Sequence, residues 1–144
     1  MFFNKKYVIL FFLIHSFIFA QNNGEETSKK EPEVFNLVQL TEENIQHFLE
    51  GKDLVLIYFY SKSNPDSLKM KESIKKIKIE GSPSVFTVNL ETNQGLRQSF
   101  KIQDLPSLVI LKKRKLIYGL TGYIDDPEVL SEFINNGIKD NLYE

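Results

Sequence analysis

Apolar residues in this chain gather in short blocks between polar breaks, and the densest block is Leu54–Tyr60, seven consecutive apolar or aromatic residues. Such a run, with two β-branched and three aromatic side chains, reads as a strand buried on both faces near the middle of a partly parallel sheet. A short polar break, Ser61 to Pro65, follows. From Asp66 the apolar positions fall on helical spacing at Met70, Ile74 and Ile77, which predicts a helix over 66–79. The chain therefore runs from a central strand through a tight loop onto a helix N-terminus, whose first N–H groups have no partner within the helix.

The flanking pattern supplies the other elements. Val34–Leu40 reads as a strand. Thr41 reads as an N-cap with Glu42 and Glu43 in the first turn, and Ile45, Phe48 and Leu49 turn inward before Gly51 ends that helix. His47 is expected to face solvent. Gly81-Ser82-Pro83 is a turn, Ser84–Leu90 a strand, and 92–100 a short helix weakened by Gly95. Ser107–Leu111 and Leu116–Leu120 lie so close that they predict an antiparallel hairpin with the basic tip Lys112 to Lys115. Gly122 breaks the pattern. Asp125 or Asp126 caps a last helix with Pro127 at its first position, and Val129, Leu130, Phe133 and Ile134 form its apolar stripe. The order β-α-β-α-β-α-β-β-α implies an α/β fold: a mixed central sheet with helices on both faces.

The ends carry a different pattern. Lys5-Lys6, an apolar run from Tyr7 to Phe19 and the small residue Ala20 describe a secretory signal peptide over 1–20. The run is shorter than a membrane span requires. Residues 21–33 contain no large apolar side chain and read as a flexible tether. The expected folded domain is 34–138, followed by a short tail over 139–144. The compartment this predicts is the endoplasmic reticulum lumen, the exterior, or a bacterial periplasm, with no membrane attachment once the leader is removed.

Composition narrows the chemistry. The 144 residues fit one domain, and a formal net charge of -1 argues against nucleic-acid binding. There is no cysteine, hence no disulfide, thiolate nucleophile or thiolate metal site. His47 is the one histidine outside the leader, so no multi-histidine metal site is expected. Lys69, Lys71, Lys75, Lys76 and Lys78 flank the apolar stripe of the 66–79 helix as a solvated face, with Glu72 and Lys76 at a favourable i,i+4 spacing.

Three local patterns resemble the thioredoxin family. Ile57-Tyr-Phe-Tyr-Ser with its short loop onto a helix resembles the family's central strand and active-site loop. Phe100-Lys-Ile-Gln-Asp-Leu-Pro-Ser-Leu resembles the segment leading into the family's cis-proline. Gly122 before a last helix matches a late glycine. Phe59-Tyr60 is also similar to the Phe-Tyr of protein disulfide isomerase domains. The resemblance spans about Val34 to Gly137.

What it implies lies in the departures. The family's Cys-x-x-Cys falls on Asn64-Pro65-Asp66-Ser67, and its buried carboxylate on Tyr58. Thiol–disulfide exchange needs a thiolate, so no oxidoreductase activity, catalytic residue or cofactor is expected. Lys101 stands where a glycine is common before the proline loop. The resemblance further implies a groove at Tyr60, Pro65, Leu105 and Pro106, with a cis bond before Pro106, where the Leu105 main chain pairs with an extended peptide of a protein partner. Two other readings stand beside it. One is a glutathione-using transferase working through Ser61, Ser63, Ser67 or Tyr60. The other is a structural subunit that binds through its basic helix or hairpin.

Overall fold

A computed structural model describes residues 35–141. The expected leader and tether, Val34 and residues 142–144 lie outside the described residues. The elements are β1 (Val38–Leu40), α1 (Ile45–Leu49), β2 (Leu54–Tyr60), α2 (Pro65–Ile74), β3 (Ser84–Asn89), α3 (Gln94–Ser99), β4 (Ser107–Lys112), β5 (Lys115–Thr121) and α4 (Pro127–Asp140). Their order is the one expected.

The sheet order is β1-β3-β2-β4-β5. β3 runs parallel to both β1 and β2, with Tyr60 opposite Asn89 at the end of the β2 pairing. β4 runs antiparallel to β2 and β5. β2 thus lies at the centre of the sheet with a neighbour on each side.

Successive β2 side chains alternate between the two faces. Val55, Ile57 and Phe59 join Ile45 and Leu49 of α1 and Leu96 of α3 in one core. Leu56, Tyr58 and Tyr60 join Met70 and Ile74 of α2 and Leu130, Ile134 and Ile138 of α4 in the other. Helices therefore cover both faces, as the chain order implied. Burying each such aliphatic side chain is worth about 1.5–3 kcal/mol relative to leaving it in water.

Several boundaries move for identifiable reasons. β1 holds only three residues, Val38–Leu40. Upstream, the Phe35 N–H donates to the Lys75 carbonyl instead of entering the sheet. Thr41 does not cap α1 directly. Its N–H donates to Asn44 Oδ1 at 2.8 Å and its carbonyl accepts from Ile45 N at 3.0 Å, a turn that delays the helix to Ile45.

α2 begins one residue earlier than expected and stops at Ile74, not Ile79. Beyond it the backbone finds partners on α4. The Lys78 N–H donates to Ser131 Oγ at 2.9 Å, and Asn135 bonds both the Lys78 carbonyl and the Glu80 N–H. Ile77 still packs inward, 1% exposed. Glu72 pairs with Lys75 at 2.7 Å, not with Lys76, which lies past the helix end. α4 runs through Asp140, into the stretch expected as tail. Its inward row is Leu130, Ile134 and Ile138, while Val129 and Phe133 are 42% and 46% exposed, outside the stripe expected for them.

The hairpin tip carries Lys113 at φ 49° and Arg114 at φ 68°. Two successive positive φ values suit a right-twisted two-residue hairpin, but Asn-Gly adopts them at lower cost than Lys-Arg. We expect K113N/R114G to raise unfolding stability by about 1 kcal/mol in denaturant titration, with the midpoint moving up. A drop in stability would show that the Arg114 side chain, which donates to Gln46 Oε1, matters more than the backbone strain.

Candidate functional site

The loop between β2 and α2 is held from three directions. From within, Asn64 is the N-cap of α2: its Oδ1 accepts the Ser67 N–H at 2.9 Å, and Pro65 occupies the first helical position. An extended backbone before the helix and a short side-chain acceptor are what a cap requires, and Asn-Pro supplies both. The first residue of the former Cys-x-x-Cys pattern therefore acts as a helix cap.

From below, the Tyr58 phenol donates to the Ser67 carbonyl at 2.8 Å inside the core. Tyr58 is fully buried, and burial pushes its ionisation far above the ordinary phenol value, so it carries no charge and serves as no base. Ser67 is also fully buried, and its Oγ has no hydrogen-bond partner among the described residues. An unpartnered buried hydroxyl costs about 1–3 kcal/mol. Ser67 is thus inaccessible to solvent and to any substrate.

From the side, Glu91, just after β3, reaches the loop. Its Oε1 accepts from Ser61 Oγ at 2.5 Å, Ser63 Oγ at 2.7 Å and the Ser63 N–H at 2.8 Å. Those bonds, Ser61's first, lower the carboxyl pKa from 4.5 to about 2. Each cause that lowers it is a hydrogen bond from a neutral group, and no cation contributes.

The proline segment lies beside this loop. The Leu105–Pro106 peptide bond is cis. Pro106 is buried, and its carbonyl accepts from the Gly122 N–H at 3.0 Å, with Gly122 at φ 120°. Arg97 Nη2 donates to the Gln103 carbonyl at 2.5 Å, and Ser107 Oγ donates to the Asp104 carbonyl at 2.6 Å. Lys101 takes φ 54°, the left-handed conformation a glycine would hold at lower cost.

The expected site residues are brought together only in part. Asn64 and Leu105 line one open pocket of about 270 Å³ with Ser61, Ser63, Glu91 and Arg97. Pro65 and Asp66 are exposed on the first turn of α2. Tyr60 is on the other face. Its ring is 2% exposed, stacks on Tyr58 at 6.2 Å and lies under the Lys71 ammonium at 4.0 Å. Leu105 packs against the opposite core, so Tyr60 contributes nothing to a groove at Leu105: β2 alternation sends Phe59, not Tyr60, to that side. His47 is exposed. Among the described residues, no group of three or more His, Asp or Glu side chains is arranged to hold a metal ion.

A profile of the thioredoxin-like domain matches residues 29–136, and the chain belongs to that family. No curated protein matches the sequence. Solved structures share the fold. A mutant thioredoxin from Halobacterium salinarum matches with TM-score 0.62 at 16% identity, over 73% of this chain and 91% of its own. The thioredoxin of Malassezia sympodialis matches with TM-score 0.59 at 16% identity, over 70% and 90%. A chain from a study of thiol resolution in yeast mitochondrial 1-Cys peroxiredoxin matches with TM-score 0.60 at 18% identity, over 72% and 98%. With no cysteine in the sequence, thiol–disulfide exchange has no nucleophile on this fold.

Two measurements test the geometry. Because Glu91 has a lowered pKa in the folded state, the stability it contributes is complete above pH 4.5 and is lost as pH falls toward 2. Denaturant midpoints followed from pH 6 to pH 2 should fall less steeply in Glu91→Gln than in the natural chain; parallel slopes would mean the three bonds do not form in solution. Ser67→Ala should be neutral or stabilising by about 1 kcal/mol, whereas Tyr58→Phe should cost about 1 kcal/mol. The opposite signs would mean that the Ser67 hydroxyl has a partner.

Proposed function

We propose that this chain is a redox-inactive thioredoxin-like protein that binds an extended segment of a protein partner at the Leu105 main chain, as a chaperone, adaptor or complex subunit. The observation that carries the reading is the pocket shared by Asn64 and Leu105. The loop and the proline segment still face each other although the loop has no thiol. Main-chain pairing needs N–H and C=O groups and no sulfur. Of the expected groove residues, Leu105 lines this pocket and Pro65 is exposed on the adjoining first turn of α2, whereas Pro106 and Tyr60 are buried.

The transferase reading finds little support. Ser61 and Ser63 hydroxyls are committed to Glu91, and Ser67 and Tyr60 are buried. A binding role needs no cofactor. The leader pattern of residues 1–20 supports a secretory-pathway or periplasmic setting for this activity.

Photo-crosslinking checks the reading. A benzophenone at position 65 in the mature chain, incubated with extract of its native compartment, should capture a partner, and one at position 114 should not. Capture from 114 alone would move the function to the basic hairpin. Retention on immobilised glutathione would revive the transferase reading.

A further inference from the structure

The pocket beside Leu105 is lined by one acid and one base, Glu91 and Arg97. Its fixed feature is the Glu91 carboxylate. One oxygen, Oε1, takes all three bonds from the loop, at 2.5–2.8 Å. None of these three bonds reaches the other oxygen, Oε2. Three neutral donors hold the group in one orientation, so a ligand that meets it does not have to order it first, which removes much of the usual side-chain entropy loss of an exposed ion pair.

No cation among the described residues is paired with that charge. Among the described residues Glu91 forms no ion pair, and nothing positive contributes to its lowered pKa. Arg97 lines the same pocket, but its Nη2 is turned onto the Gln103 carbonyl. The carboxylate is therefore ionised at any physiological pH, held by three hydrogen bonds, exposed, and in no ion pair among the described residues. It shares a pocket of about 270 Å³ with Leu105, the residue whose main chain would align an extended peptide.

We propose that this pocket is a specificity subsite for a basic side chain, lysine or arginine, of the peptide aligned along Leu105, with Glu91 Oε2 as its acceptor. The inference rests on the groove reading above and adds the side-chain chemistry that groove selects. A peptide laid along Leu105 directs alternate side chains to one side, so one position of the ligand meets Glu91 and its neighbours do not. The half-buried Leu105 side chain, also in the lining, packs against the aliphatic stem of a long basic side chain. A carboxylate ligand side chain would meet like charge, and a short neutral one would leave Glu91 in water.

The test uses the full mature chain and a bead-displayed library of random decapeptides at low ionic strength. The natural chain should retain beads and enrich lysine or arginine about threefold to fivefold at one position, the effect expected of a single exposed but oriented ion pair. Glu91→Gln should retain beads with that preference gone, while Glu132→Gln, an exposed change on α4, keeps it and so excludes a bulk charge effect. Circular dichroism at pH 7 confirms that the variants fold. Retention with no positional basic preference, or a preference that survives Glu91→Gln, overturns the subsite and leaves the groove standing. No retention by the natural chain overturns the groove and the subsite together.

Discussion

The buried hydrogen bond from the Tyr58 phenol to the Ser67 carbonyl joins the two elements on which the site depends. Tyr58 lies in the middle of β2, the strand paired on both sides, and Ser67 lies in the first turn of α2. Fixing that turn fixes where the loop at 61–64 must run, and hence which groups face Leu105. In a thiol enzyme of this family the same region must leave a reactive sulfur exposed. Here a capping asparagine, a fully buried serine and an uncharged phenol occupy the region. Each serves packing or hydrogen bonding. The chemistry of the loop is that of an ordinary helix start on a strong central strand.

Much of this is legible in the sequence because it follows from local physics. The unbroken apolar run at 54–60 implies a strand covered on both faces, and the 3.6-residue pattern after Pro65 implies a helix from about Asp66, though its cap is Asn64 and not Asp66 or Ser67. Lys112 to Lys115 between two apolar runs implies a hairpin. The elements that moved did so through tertiary partners. Ser131 and Asn135 of α4 take over the backbone of Lys78 and Glu80, which ends α2 before its apolar pattern ends. Val129 and Phe133 fit the helical spacing of α4, yet the row one residue further on faces the sheet.

The candidate site was only half legible. Asn64 and Leu105 line one pocket, but Tyr60 lies in the opposite core, which strict alternation along β2 already determines. Glu91 gave no local signal, being one acid after a strand. Its role depends on β2 and β3 being parallel, with Tyr60 opposite Asn89, so that the residues just past both strands emerge side by side. A parallel register is a long-range fact, and it turns an unremarkable glutamate into the fixed charge beside the loop. Under the proposed function, this site works through a main-chain edge and an oriented carboxylate.

The central claim is that the loop at 61–67 is a rigid structural joint, with Asn64 as its cap. Amide hydrogen exchange resolved at Ser67 tests this most directly. The account predicts that the Ser67 N–H exchanges far more slowly than an unstructured amide, and that Asn64→Ala accelerates it while amides in β2 keep their protection. Exchange at Ser67 in the natural chain as fast as in an unfolded peptide would contradict it, because the cap that defines the site would then not persist in solution.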